Sequence, residues 1–277
     1  MKLKYWLLLW GLTVCGGNAL SQSRVGPDLI ERARTRALSY VSELPNFLCK
    51  QRIQRYVIFD LSTREVLDEV VLETAFYEGA EQHTVLTVGG KPAPGDRLES
   101  LTGLTSRGEF GSSLAALFDP ETRTVFEPDG QEKLRGRQTA RFRFTVPAET
   151  SRNQISLGSV AAITAYRGRC WVDVETGQVL RLEDQAVDIP ADLPVTASSS
   201  RTEYDRVEIA GNSYWLPVSA NVRVVAESKP GRPIFNFYEV IMGKMALPNF
   251  NPPRAEAVNL IRFEDYRKFQ ADVKITF

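Results

Sequence analysis

The chain has 277 residues, 43% of them hydrophobic and 25% charged, enough apolar mass to bury a core and to exclude general disorder. Its 34 basic and 34 acidic residues balance, so there is no net pull toward nucleic acid. Beyond the N-terminus, no stretch is apolar for long enough to span a membrane as a helix.

Met1-Lys-Leu-Lys4 is a basic start, and Tyr5–Val14 is an apolar run of ten, too short to cross a bilayer. Gly17-Asn-Ala19 and Ala19-Leu-Ser21 both suit a signal peptidase. Residues 1–21 therefore read as a cleaved signal peptide and 22–277 as a single β domain, placed in the periplasm or secreted. Cleavage removes two of the 34 basic residues and no acid, so the mature chain sits near −2. The alternative is a lipidated Cys15, since Leu12-Thr-Val-Cys15-Gly16 resembles a lipobox, although Val14 is bulky where a small residue is usual. Cys49 and Cys170 remain after cleavage; an exported compartment permits a disulfide between them, and the other reading is two small buried residues that never meet.

Pro27–Leu44 has the helical spacing, with Leu29, Ile30, Ala33, Ala37, Leu38 and Val41 on one stripe and Pro45 as the stop. Strands are expected at Arg52–Leu61, Glu65–Tyr77 and Gln82–Val88, followed by a long Gly/Pro/Ser/Asp-rich loop at Gly89–Arg107. Gly108–Phe118 reads as a short helix, Thr122–Glu127 as a strand and Pro128-Asp-Gly130 as a turn. Ala140–Val146 alternates without error, and Thr164–Val174 and Gln178–Ala186 form a hairpin about Glu175-Thr-Gly177. Further strands are expected at Arg201–Ile209, Tyr214–Ala226, Pro233–Ile241 and Phe269–Phe277, with Pro252-Pro253 in a linker. The fold class is mainly β (α+β): a curled antiparallel meander forming a half-open barrel, covered by the N-terminal helix and a short lid helix.

Catalytic and metal-binding signatures are missing from this pattern. The single histidine, His83, lies in a strand among exposed-looking neighbours and reads as a surface residue; there is no Cys-x-x-Cys, no Gly-x-Ser-x-Gly and no Ser-x-x-Lys. Gly89-Gly-Lys91 lacks the rest of a phosphate loop. Asp173 and Glu175 flank a turn, and Arg141 and Arg143 fall on a polar sheet face, either solvated or a basic patch for an anionic partner. No cofactor or metal and no enzyme activity is expected. What stands out is apolar surplus on strands and lid: Phe142, Phe144, Leu180, Leu182, Val207, Ile209, Phe110 and Leu114 are either plain core or the lining of a cavity.

The Trp171-Val-Asp173-Val-Glu175-Thr-Gly177 hairpin, the following Leu180-Arg-Leu-Glu183, and Val207-x-Ile209-x-Gly211-x-x-Tyr214-x-Leu216-Pro217 resemble exported bacterial proteins of the LolA-like superfamily, which includes outer-membrane lipoprotein carriers, sorting proteins and RseB-like sensor domains. The resemblance implies a half-open β-barrel, with helices over a hydrophobic cavity that binds lipid or lipoprotein acyl chains. It maps no functional residue onto a position of this chain. The alternative implied function is a non-catalytic envelope interaction or sensor module with a filled barrel core, docking another envelope protein.

Overall fold

The computed structural model describes residues 19–59, 63–93, 95, 97–98, 101–106, 108–157, 160–193, 195–228 and 253–269, with the side chains of the first helix described from Gly26 onward. The expected strand Pro233–Ile241, most of Phe269–Phe277 and nearly all of the expected signal segment lie outside the described residues.

Helix α1 runs Ala19–Glu43, starting ahead of the expected Pro27, which lies inside it. Its buried stripe is Leu29, Ile30, Ala33, Ala37 and Tyr40. The strands are β1 Phe47–Phe59, β2 Thr63–Tyr77, β3 Ala80–Val88, β4 Lys91–Pro92, β5 Val125–Leu134, β6 Arg137–Val146, β7 Gln154–Leu157, β8 Val160–Ile163, β9 Ala165–Asp173, β10 Val179–Val187, β11 Ala197–Ile209, β12 Asn212–Glu227 and β13 Arg254–Lys268; helix α2, Ser112–Phe118, lies between β4 and β5. Eleven strands form one antiparallel sheet in the order β4-β3-β2-β1-β13-β12-β11-β10-β9-β6-β5, and β7 and β8 pair separately. The chain meanders outward from β1 to β4, crosses through α2 to the opposite edge at β5, and returns strand by strand until β13 lies beside β1. The sheet does not close, because β4 and β5 are its two edges.

Period-two burial explains most of these strands. Along β6, Ala140, Phe142, Phe144 and Val146 are buried, and along β1 Phe47, Cys49, Gln51, Ile53, Arg55 and Val57 alternate with more exposed neighbours. One core cluster joins Leu29, Ile30, Ala33 and Ala37 of α1 and Leu114, Leu117 and Phe118 of α2 to β6, β9 and β10. A second joins Tyr40 to β1, β2, β12 and β13, with Phe47 stacked on Phe76 at 5.1 Å. A third, around Val57, Ile155, Val195, Val224 and Ala257, seals one end.

Several expectations are corrected. Pro128-Asp-Gly130 is a register-shifting bulge inside β5, not its end; the reversal comes at Arg135-Gly136. Asp129 at the bulge accepts from Arg141 and Arg169, which holds the irregularity in place. β13 was not expected as a strand, because Ala255, Ala257 and Asn259 dilute its apolar alternation, yet it joins the two halves of the sheet. Cys49 and Cys170 are free thiols buried in different clusters on β1 and β9, five places apart in the sheet order, so the buried, unpaired alternative is the one adopted. His83 is not a surface residue: its side chain is 8% exposed, and its Nδ1 lies 2.9 Å from Thr74 Oγ1. The arginine-rich face is neutralised by carboxylates, with Arg141 on Asp129 and Glu132, Arg143 on Glu127, and Arg181 on Glu203.

Candidate ligand cavity

Small residues on facing elements make the space. On the sheet side, Ser198, Ser200 and Thr202 of β11 and Val222 and Val224 of β12 form the floor, with Leu182 and Asp184 of β10 and Tyr166 of β9. Opposite them, α2 contributes Ser112, Ser113, Ala115, Ala116 and Leu117. The segments Gly103–Ser106 and Arg152–Ser156 form the sides. The cavity, partly open to solvent, has a volume of about 970 Å³, near the upper end of the range for small-ligand sites.

The hairpin singled out in the sequence holds the helix layer against this floor. The Arg32 guanidinium of α1 donates to Val174 O at 2.7 Å and Glu175 O at 3.1 Å. The turn is fixed from within, where Asp173 Oδ1 accepts from Thr176 N at 2.8 Å and Thr176 Oγ1 at 2.7 Å while Arg137 grips both carboxylate oxygens. Burial pushes the Asp173 carboxyl up, but the Arg137 and Thr176 donors outweigh it and hold the group below the usual carboxylate range. α2 in turn is seated on α1 at Gly111, whose φ is 127° and where a Cβ would lie 2.7 Å from the Tyr40 ring. At the other end of α2, Thr124 Oγ1 donates to Leu117 O at 2.7 Å.

Two carboxylates line the cavity. Asp184 faces Ser200 across the β10–β11 register and accepts from its hydroxyl. Protein packs round the group on all sides, though it keeps partial exposure to the cavity; burial pushes its pKa up to about 6, opposed only by the Ser200 hydrogen bond. β9 and β10 touch closely beside it, since a Cβ at Gly168 would lie 1.9 Å from Glu183 O. Glu109, 6% exposed, accepts from Ser106 Oγ at 2.6 Å through Oε1, while Oε2 has no partner. Burial raises the Glu109 carboxyl as well. Arg152, the one basic residue among the lining residues, is held at the rim by Asp119 at 2.7 Å and Glu121 at 3.2 Å. The Tyr166 hydroxyl is raised to about 12 by burial and by the Asp184 charge.

Of the residues expected to line a cavity, Leu182 does. Phe142, Phe144 and Leu114 lie in the first core cluster beneath α1 and α2. Phe110 and Ile209 lie in the second, with Val207 packed against it, and Leu180 is fully buried. The large aromatic side chains fill their own space, and the cavity forms where Ser198-Ser-Ser200 meets Ser112-Ser113 and Ala115-Ala116. Those small-residue runs were the available signal. Among the described residues, no group of three or more His, Cys, Asp or Glu side chains is placed to hold a metal, and no helix is long and apolar enough to cross a membrane.

No family model and no curated protein sequence matches the chain. Among solved structures it is similar to a LolA superfamily protein from Nitrosomonas europaea, at 10% identity over 91% of this chain and 96% of that one, with a TM-score of 0.37. It is similar to a DUF1329 family protein from Desulfovibrio piger, at 14% identity, 91% and 94% coverage, and a TM-score of 0.36. It is also similar to a domain from Vibrio parahaemolyticus described as an outer membrane lipoprotein-sorting protein, at 9% identity, 89% and 93% coverage, and a TM-score of 0.37. Superpositions at this level carry no functional inference.

Proposed function

We propose that this is an exported cell-envelope protein that binds the acyl chain of a lipid or lipoprotein in the space between its sheet and α2, without covalent chemistry. The observation that carries the reading is the cavity of about 970 Å³, whose lining includes the apolar side chains of Leu117, Leu182, Val222 and Val224 among its serines and threonines. Seating a chain there is favoured by about 25 cal/mol for each Å² of apolar surface removed from water. The basic start and the ten-residue apolar run at Tyr5–Val14 support export. Filled-core packing, the alternative of a protein-docking module, accounts for the two larger clusters but not for the unfilled space beneath α2.

The test is to secrete the protein from an exporting host, purify it natively, extract it with solvent and identify the extract by mass spectrometry. Lipid or acylated peptide near one molecule per chain is expected. A folded protein that yields a clean extract and takes up no added alkyl chain would favour the filled-core module.

A further inference from the structure

The cavity carries charge that an acyl chain does not use. Asp184 and Glu109 both line it. Among the described residues, Asp184 has Ser200 as its one hydrogen-bond donor, and no Lys, Arg or His pairs with it. Glu109 is more than nine-tenths buried and leaves Oε2 unpartnered. Among the described lining residues the one cation, Arg152, is engaged by Asp119 and Glu121. A buried carboxylate without a counter-charge is costly, and a bound cation removes that cost. Hydroxyls of Ser198, Ser200 and Thr202 stand beside Asp184 on the cavity floor, and Leu182 and Val222 continue the floor as apolar surface.

We propose that the cavity takes an amphiphile with a protonated amine head, its ammonium on the Asp184 carboxylate and its alkyl chain along Leu117, Leu182, Val222 and Val224. This rests on the acyl-chain reading above and names the head group. An ammonium brings three donors, enough for the carboxylate and neighbouring hydroxyls. An anionic head meets two carboxylates, and a neutral alcohol leaves both without a counter-charge. The titratable groups that sense the Asp184 charge are Tyr166 on β9 and Tyr204 on β11.

The experiment titrates the full exported chain calorimetrically with decylamine, decanol and decanoate near pH 8, where an alkylammonium keeps its proton. Decylamine is expected to bind at least about tenfold tighter than decanol, the size of one charge-assisted hydrogen bond, with decanoate weakest. Asp184→Asn is expected to bring the amine-to-alcohol ratio below about threefold, on the same hydrogen-bond scale. Should that variant not fold, the ratio in the unaltered protein near pH 4.5, where Asp184 is protonated, is expected to fall in the same way. Equal binding of all three probes, or tighter binding of decanoate, overturns the amine head group and leaves the cavity reading standing. Binding of none overturns both.

Discussion

Asp184→Asn should make the protein more stable at neutral pH and leave its stability unchanged in acid. In the folded chain the carboxyl keeps its proton up to about pH 6, because burial disfavours the charge and Ser200 offsets only part of that. In the unfolded chain the same group ionises near pH 4. Between those values the folded state binds more protons than the unfolded state, so the contribution of this group to stability falls as pH rises through the window. A raise of about two units corresponds to about 3 kcal/mol, lost in full above pH 6 and absent as a penalty below about pH 4. Asparagine carries no charge and still accepts from Ser200, so the variant escapes the penalty. The assay is urea unfolding of both proteins near pH 4 and near pH 7.5, with the difference taken at each pH. Other carboxylates, such as Asp173 and Glu256, are lowered by their arginine partners and weaken the fold in acid, but they cancel in the difference. The expected gain is about zero at the lower pH and about 2–3 kcal/mol at the higher, equal to about 5–10 °C in melting temperature for a chain of this size. A difference independent of pH, or an asparagine variant less stable near neutrality, would refute the placement of this carboxylate in an uncompensated buried site.

Asp173→Asn should destabilise by about 2–3 kcal/mol near neutrality, because Arg137 loses a carboxylate gripped through two hydrogen bonds, and chemical unfolding measures it. Gly168→Ala should cost more than about 3 kcal/mol or prevent soluble expression, since the added carbon overlaps the Glu183 backbone oxygen, which cannot yield as a flexible side chain can. Phe144→Ala should destabilise by about 3–5 kcal/mol, and alkyl-chain affinity measured under conditions where the variant remains folded should change little, since Phe144 lies outside the cavity lining. Cys49 and Cys170 should be unreactive to a thiol reagent in the native protein and give two equivalents in denaturant, with burial raising both thiols and pushing Cys170 to about 12; an intact mass two hydrogens short would show the disulfide instead.

The fold was legible wherever alternation was strong. β6, with Phe142 and Phe144 between Arg141 and Arg143, and the β9–β10 hairpin declared themselves because each side chain's polarity matched its face. β13 did not, because a strand buried in the middle of a sheet can use alanine and asparagine where neighbours crowd it. Asn259 is buried there with its amide on Leu104 O, a contact across 155 residues that local patterning cannot register. The site was less legible still. Reading for a cavity by its large apolar residues found the core, since Phe142, Phe144 and Phe110 supply the side chains that fill space. The cavity is built from residues that fail to fill it, Ser200, Ser113 and Ala116 among them, and its charge comes from Asp184, which lies between its neighbouring strands β9 and β11 and faces the cavity with the α2 residues.

The most direct measurement is to bind a ten-carbon alcohol carrying a photoactivatable group at its chain end, irradiate, and map the labelled residues by peptide mass spectrometry. Labels on Leu117, Leu182, Val222 and Val224 are expected, lost on competition with unlabelled decanol. Labels confined to the exposed apolar residues Val66, Val125, Val160 and Ile163 would contradict the cavity as the binding site.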